Sequence, residues 1–163
     1  MRIVLLDDFS PIINQTLSNW NWQVINGQNW TLEDFKKHAS EIEGIIIRSK
    51  FPLDKDLLTM TKKLKFIARP GSGLENIDLK YCKENNVEVF RSPEGNRDAL
   101  AEHTLGMLLC LKNHLNIVDD EVRNNIWERE RNRGTELKGK VMAIIGYGHM
   151  GKAFAQRLTG FEM

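Results

Sequence analysis

The residues best suited to chemistry are the glycines of Gly146-Tyr147-Gly148-His149-Met150-Gly151, which follow directly on the apolar run Val141-Met142-Ala143-Ile144-Ile145. A G-x-G-x-x-G between a strand and a helix is the phosphate loop of a dinucleotide site. The first glycine permits the tight turn, the second lets the backbone approach a pyrophosphate, and the third lets helix and strand pack closely. The helix expected from Lys152 to Leu158 would turn its first N–H groups and its positive dipole end toward the phosphates. The other reading is a Gly-rich turn in an α/β protein. Such a unit places a ribose-binding acid about 20 residues beyond the loop. Glu162 comes too soon after Gly151 and before any second strand, so that acid is expected beyond Met163.

A second small-residue turn, Gly71-Ser72-Gly73, follows the apolar run Lys65-Phe66-Ile67-Ala68. Small residues let successive backbone N–H groups converge on an anion, although a plain strand-to-helix turn has the same composition. Arg48 ends the run Gly44-Ile45-Ile46-Ile47, where open α/β sheets form their ligand crevice. Its planar fork suits a carboxylate or phosphate, and a surface salt bridge is the alternative. Glu102 and His103 are adjacent on a helix, so their side chains diverge and make no acid/base couple. His38 and His114 have no carboxylate or cysteine at helical spacing, and no metal-ligand cluster is present.

The elements that would position these residues alternate. Ile3–Leu6, Gln23–Ile25, Gly44–Ile47, Lys65–Ala68 and Val87–Phe90 read as five strands, with Ile45-Ile46-Ile47 wanting both faces covered. Between them the pattern predicts helices after Ser10-Pro11, after a Thr31 cap with Asp34 in the first turn, over Leu53–Met60 and over Leu79–Lys83. Asp98 to Ile117 reads as one long helix, apolar nearly all round over Leu105–Leu111, which predicts burial on every side. A polar helix over Asp119–Trp127 and the charged stretch Glu128–Gly134 then lead to the strand Val141–Ile145.

The composition bounds the rest. At 163 residues, 41% hydrophobic and 28% charged, with a net charge of +1, the chain reads as an ordinary globular protein without a nucleic-acid or anionic-membrane partner. Two cysteines, Cys82 and Cys110, lie in predicted helices without CxxC spacing and read as reduced core thiols. No stretch approaches ~18 consecutive apolar residues. A cytoplasmic protein is the expectation.

Five segments together carry a family resemblance: Arg48-Ser49, Gly71 to Asp78, Ser92-Pro93-Glu94-Gly95-Asn96, Ala101-Glu102-His103-Thr104 and the Gly146–Gly151 loop. Their order resembles D-2-hydroxyacid dehydrogenases. Trp127-Glu128-Arg129 with Gly134 to Lys140 is most similar to the D-3-phosphoglycerate dehydrogenase branch. The resemblance implies an α/β fold: a flavodoxin-like substrate-binding (lid) domain over 1–97, interdomain crossing helices over 98–134, and the first βα of a Rossmann NAD-binding domain over 135–163.

It also implies that Ser72 and Gly73 bind substrate carboxylate and nearby cofactor, and that Arg48 reaches a substrate phosphate or carboxylate. By the same resemblance Asn96 closes the cleft near the nicotinamide, and Gly146, Gly148, His149, Met150 and Gly151 hold the pyrophosphate of NAD. His149 stands where the family often has Arg, so it offers a positive charge only in its protonated form.

The implied reaction is oxidation of 3-phosphoglycerate to 3-phosphohydroxypyruvate, the start of serine synthesis. The partner is thus a small 2-hydroxy or 2-oxo acid. The family's catalytic Arg, Glu and His are expected downstream of Met163, so this chain alone is expected to be inactive. Dimerisation through the crossing helices is expected, because the apolar helix and the open strand need cover.

Two rival readings differ in class. A phosphoacceptor signalling module would use Asp7-Asp8 but needs an Asp ending strand three, where Ile47-Arg48-Ser49 stands instead. A non-catalytic, NAD-sensing, corepressor-like protein of the same fold differs only in residues beyond this stretch.

Overall fold

The computed structural model describes residues 1–163, which divide into two compact units, Met1–Gly95 and Asn96–Met163. In the first unit, β1 (Arg2–Leu5), β2 (Gln23–Asn26), β3 (Gly44–Ile46), β4 (Phe66–Arg69) and β5 (Glu88–Arg91) form one sheet in the order β2-β1-β3-β4-β5. Every pairing is parallel. This is the order of flavodoxin-like folds, so the expected α/β class and all five expected strands are present.

The strands are covered on both faces because their apolar residues are contiguous rather than alternating. Val4, Leu6, Ile45, Ile47 and Ile67 point into one layer with Phe35, Leu53 and Leu58, while Ile3, Leu5 and Ile46 point into the other with Leu17. Residues two apart share a face, as the period of a strand requires. The edge strand β5 instead has Glu88, Phe90 and Arg91 exposed, and charge at an edge discourages further pairing.

The helices begin where the sequence supplies caps. In α2 (Leu32–His38), the Thr31 hydroxyl accepts from the Asp34 N–H, and the Asp34 carboxylate accepts from the Thr31 N–H at 3.1 Å. Asp54 and Asp78 cap α3 (Lys55–Leu58) and α4 (Leu79–Glu84) with a single bond each, their carboxylates accepting the N–H of Leu57 and of Tyr81. Ser10 precedes Pro11 at the start of α1 (Pro11–Asn19), yet its hydroxyl makes no cap bond. The helix expected over Leu53–Met60 shrinks to α3, because Leu53 forms an isolated parallel bridge with Ile77. Cys82 is buried, and burial pushes its thiol pKa up, as for an inert core thiol.

The second unit holds α5 (Arg97–Lys112), α6 (Leu115–Arg123) and α7 (His149–Leu158). It departs from expectation in two places. The single helix expected to Ile117 breaks at His114, whose φ of 54° lies in the left-handed region. Asn and His tolerate that region better than most residues, and Asn113-His114 supplies both. The apolar surface of α5 is only partly covered within the unit, as expected of a helix that needs a further partner: Ala101 is buried, but Met107 and Leu111 are 61% and 71% exposed.

Val141–Ile145 forms no strand. Alternate residues still face opposite ways, Met142 and Ile144 inward and Val141, Ala143 and Ile145 outward. A strand exists by pairing its backbone with a neighbour, and no other strand of the unit stands beside this segment. No helix is long and apolar enough to cross a membrane.

Candidate functional site

In the first unit the carboxyl ends of β3, β4 and β5 carry Arg48, Arg69 and Arg91. Their main chain and side chains are knitted together. The Asp7 carboxylate, just past β1, accepts the Arg48 N–H at 2.5 Å and the Ser49 N–H at 3.3 Å. The Arg48 carbonyl accepts from Arg69 Nε at 2.9 Å and from Asn76 Nδ2 at 3.3 Å. With its backbone held at both ends, Arg48 lays its exposed guanidinium 5.5 Å from the centre of the Phe9 ring. That group has no carboxylate partner, which leaves its fork available to an anion. The expected salt-bridge alternative for Arg48 is therefore not what the structure adopts.

The Gly71-Ser72-Gly73 turn sits against the same arginines. The Gly71 carbonyl accepts from the Ser92 N–H at 3.0 Å, and the Ser72 carbonyl from Arg91 Nη1 at 3.2 Å. The Gly73 carbonyl accepts from Arg69 Nη1. Glu75 pairs with Arg69 at 3.1 Å and takes up much of that charge locally. Arg48, Ser72 and Gly73 thus belong to one strand-end cluster, linked through Arg69.

In the second unit the glycine loop has the backbone its sequence predicts. Gly146 has φ of +90°, open to glycine and strained for any side chain. A Cβ on Gly151 would lie 2.1 Å from the Gly146 carbonyl oxygen, so only glycine lets the start of α7 close on the turn. A Cβ on Gly148, by contrast, would meet nothing within 4 Å. Gly148 is the N-cap of α7, and its carbonyl accepts the Lys152 N–H at 3.0 Å. Two glycines are thus demanded by the fold of the loop, while the third leaves open space at the helix start. That space fits a phosphate approaching the first N–H groups of α7. His149 and Met150 form the first residues of the helix, and Asn96 is the N-cap of α5.

The model of the D-isomer specific 2-hydroxyacid dehydrogenase catalytic domain matches residues 3–158. The chain belongs to the D-2-hydroxyacid dehydrogenase family. It is 33% identical over 162 residues to the D-3-phosphoglycerate dehydrogenase of Sus scrofa, covering 99% of this chain and 30% of that enzyme. It is 28% identical to the hydroxypyruvate reductase of Thermotoga maritima, covering 99% of this chain and 53% of the relative. Among solved structures, the D-lactate dehydrogenase of Aquifex aeolicus complexed with NAD and lactic acid superimposes with a TM-score of 0.85 at 23% identity. That superposition covers 100% of this chain and 49% of that one. The chain thus spans from about a third to about half of the length of these dehydrogenases.

Phe9, Arg69 and Arg91 were not singled out as site residues by the sequence pattern, and Asp7 only as an acid that a phosphoacceptor would use. Each lies within a few residues of a strand's carboxyl end, the one signal that could have drawn them in. Glu102 and His103 form no couple: Glu102 accepts from Arg157 at 3.4 Å, and Arg157 also binds Asp98 at 2.9 Å. The same hydrogen bond from Arg157 holds the Asp98 carboxyl below its ordinary pKa. These residues tie α5 to α7.

Proposed function

We propose that this chain carries the acid-binding and pyrophosphate-binding parts of an NAD-dependent dehydrogenase that oxidises 3-phosphoglycerate to 3-phosphohydroxypyruvate, at the start of serine synthesis. The observation that carries the reading is Arg48. Its main chain is fixed by Asp7, Arg69 and Asn76 while its guanidinium is left without a carboxylate. A guanidinium fork carried on a fixed main chain is suited to bind a phosphate or carboxylate bidentately. The N–H groups of Ser72 and Gly73 receive the other anionic end of the acid.

The Gly146–Gly151 loop fits NAD on its geometry, with Gly148 giving the pyrophosphate access and His149 and Met150 flanking it. The dinucleotide, when bound, supplies a hydride acceptor. Asn96 borders the nicotinamide end. The roles of this chain's residues are to bind and orient the acid and to hold the phosphates. No residue of 1–163 is assigned the proton transfer at the C2 hydroxyl.

Within the second unit Met107, Leu111, Leu115 and Ile117 are exposed. A symmetric pairing of two copies through α5 and α6 would remove that apolar surface from water. Light scattering at micromolar concentration should return twice the mass of 18.8 kDa, and a monomer would remove the dimer from the reading.

Calorimetric titration of the chain with 3-phosphoglycerate and with D-lactate tests the substrate assignment. The phosphorylated acid should bind more tightly, and Arg48→Met should erase most of the difference. Equal affinity for both acids in the unaltered chain would set the phosphoglycerate reading aside.

A further inference from the structure

The three carbonyls of the Gly71-Ser72-Gly73 turn are all engaged, by the Ser92 N–H, by Arg91 and by Arg69 respectively. All peptide bonds here are trans. In a trans peptide the C=O of one residue and the N–H of the next point in opposite directions. Fixing the carbonyls of residues 71, 72 and 73 therefore fixes the N–H groups of 72, 73 and 74, each opposite the donor that holds the carbonyl before it. Consecutive N–H groups presented to one side make an anion-binding concavity.

Of the three anchors, the Ser92 contact is main chain and Arg69 is shared with Arg48 and Glu75. Arg91 is the one side chain that holds the middle carbonyl. It is registered opposite Arg69 across β4 and β5, is exposed, and has no carboxylate partner.

We infer that Arg91 is a positioning residue for acid binding: by donating to the Ser72 carbonyl it holds the Gly73 N–H toward the substrate carboxylate. The inference rests on the acid-binding reading given above. Gly73 is the residue most in need of such a hold, because glycine peptides rotate with little steric resistance. The positive charge of Arg91 also lies on the carbonyl side of that peptide, so it polarises the N–H that faces the ligand.

The test uses the 163-residue chain labelled with 15N and 13C, its R91M and R91K variants, and two probes, D-glycerate and 3-phosphoglycerate. Arg91 is exposed at the end of an edge strand, so both variants should fold. In ligand-free R91M the carbonyl carbon of Ser72 should move in the 13C spectrum. Both acids should then bind about tenfold more weakly, the effect of losing one hydrogen bond from a charged donor. The loss should be the same for both probes and persist at about 0.5 M salt, where long-range charge is screened. R91K keeps the charge without the planar fork and should recover only part of the affinity.

A loss that scales with ligand charge, vanishes in salt and is fully restored by R91K would overturn the positioning role in favour of simple attraction. If both acids shift the Gly73 and Leu74 amides of the unaltered chain but R91M changes nothing, the Arg91 assignment alone falls. If neither acid shifts those amides, the substrate reading falls and takes the assignment with it.

Discussion

The carboxylate of Asp7 accepts the main-chain N–H of Arg48 at 2.5 Å, across 41 residues of sequence. It joins the turn after β1 to the turn after β3, two neighbouring strands of the sheet. An aspartate at the end of a first strand would serve a phosphoacceptor as a reactive group. Here it is a clasp. Asp7→Ala should leave the Arg48 and Ser49 N–H groups without their acceptor, at a cost of about 1–2 kcal/mol in unfolding free energy. Acid binding should weaken with it. Urea unfolding and calorimetry check the two effects, and unchanged affinity would show that Arg48 does not depend on Asp7.

The loop glycines separate stability from ligand binding. Gly151→Ala drives a methyl group into the Gly146 carbonyl and should distort the loop, lowering melting temperature and dinucleotide affinity together. Gly148→Ala meets empty space. It should melt like the unaltered chain yet bind NAD at least tenfold more weakly, because the methyl group takes the place of the pyrophosphate. Parallel thermal melts and fluorescence titrations with NADH would show whether the two substitutions diverge in this way.

His149 lies in the first turn of α7. His149→Arg adds a permanent charge where a phosphate is proposed to bind, and should tighten NADH binding a few-fold at pH 8. No change at pH 8 would place the phosphates away from this side chain.

Asp34 titrates at about 2, lowered first by the Thr31 hydroxyl, then by the Thr31 N–H, with Lys37 adding to the effect. A carboxyl whose pKa is depressed by folding stabilises the native state above its unfolded value near 3.8 and loses that contribution as pH falls toward 2. Asp34→Asn should therefore lower the melting temperature at pH 7, and the difference should shrink as pH falls through about 2. Thr31→Ala also removes the hydroxyl that accepts the Asp34 N–H, so part of its loss should remain at pH 2. Melting curves at both pH values decide it, and an Asp34→Asn difference undiminished at pH 2 would assign the effect to something other than the Asp34 charge.

Gly44 opens β3 with its Cα against the Phe66 ring. A Cβ there would lie 2.5 Å from that ring and 2.6 Å from Ile3. Gly44→Ala should cost about 1–3 kcal/mol by overpacking, and chemical denaturation of the variant measures it.

The first unit was largely legible in the sequence because its signals are local. Ile45-Ile46-Ile47 has no polar face to offer water, and Thr31 with Asp34 announces a helix start on its own. The second unit was less legible. Val141–Ile145 is apolar enough for a central strand, but apolarity does not supply the neighbour that makes a strand. The helix break at His114 turns on one residue's left-handed conformation, which neither Asn113 nor His114 compels.

In the candidate site, Arg48 and the glycines were visible because each residue type is matched to its task. Arg69, Arg91 and Asp7 were not, since their role depends on which strand ends are neighbours in the sheet. Strand order β2-β1-β3-β4-β5 brings the ends of β3, β4 and β5 side by side, and periodicity along a chain carries no information about that order.

The most direct measurement is an amide chemical-shift map of the 163-residue chain titrated separately with 3-phosphoglycerate and with NAD. The acid should move the amides of Arg48, Ser72, Gly73 and Leu74, and NAD those of Gly146 through Lys152. Shifts from the acid that fall elsewhere, with Arg48 and the Gly71–Gly73 turn unmoved, would contradict the proposed acid site.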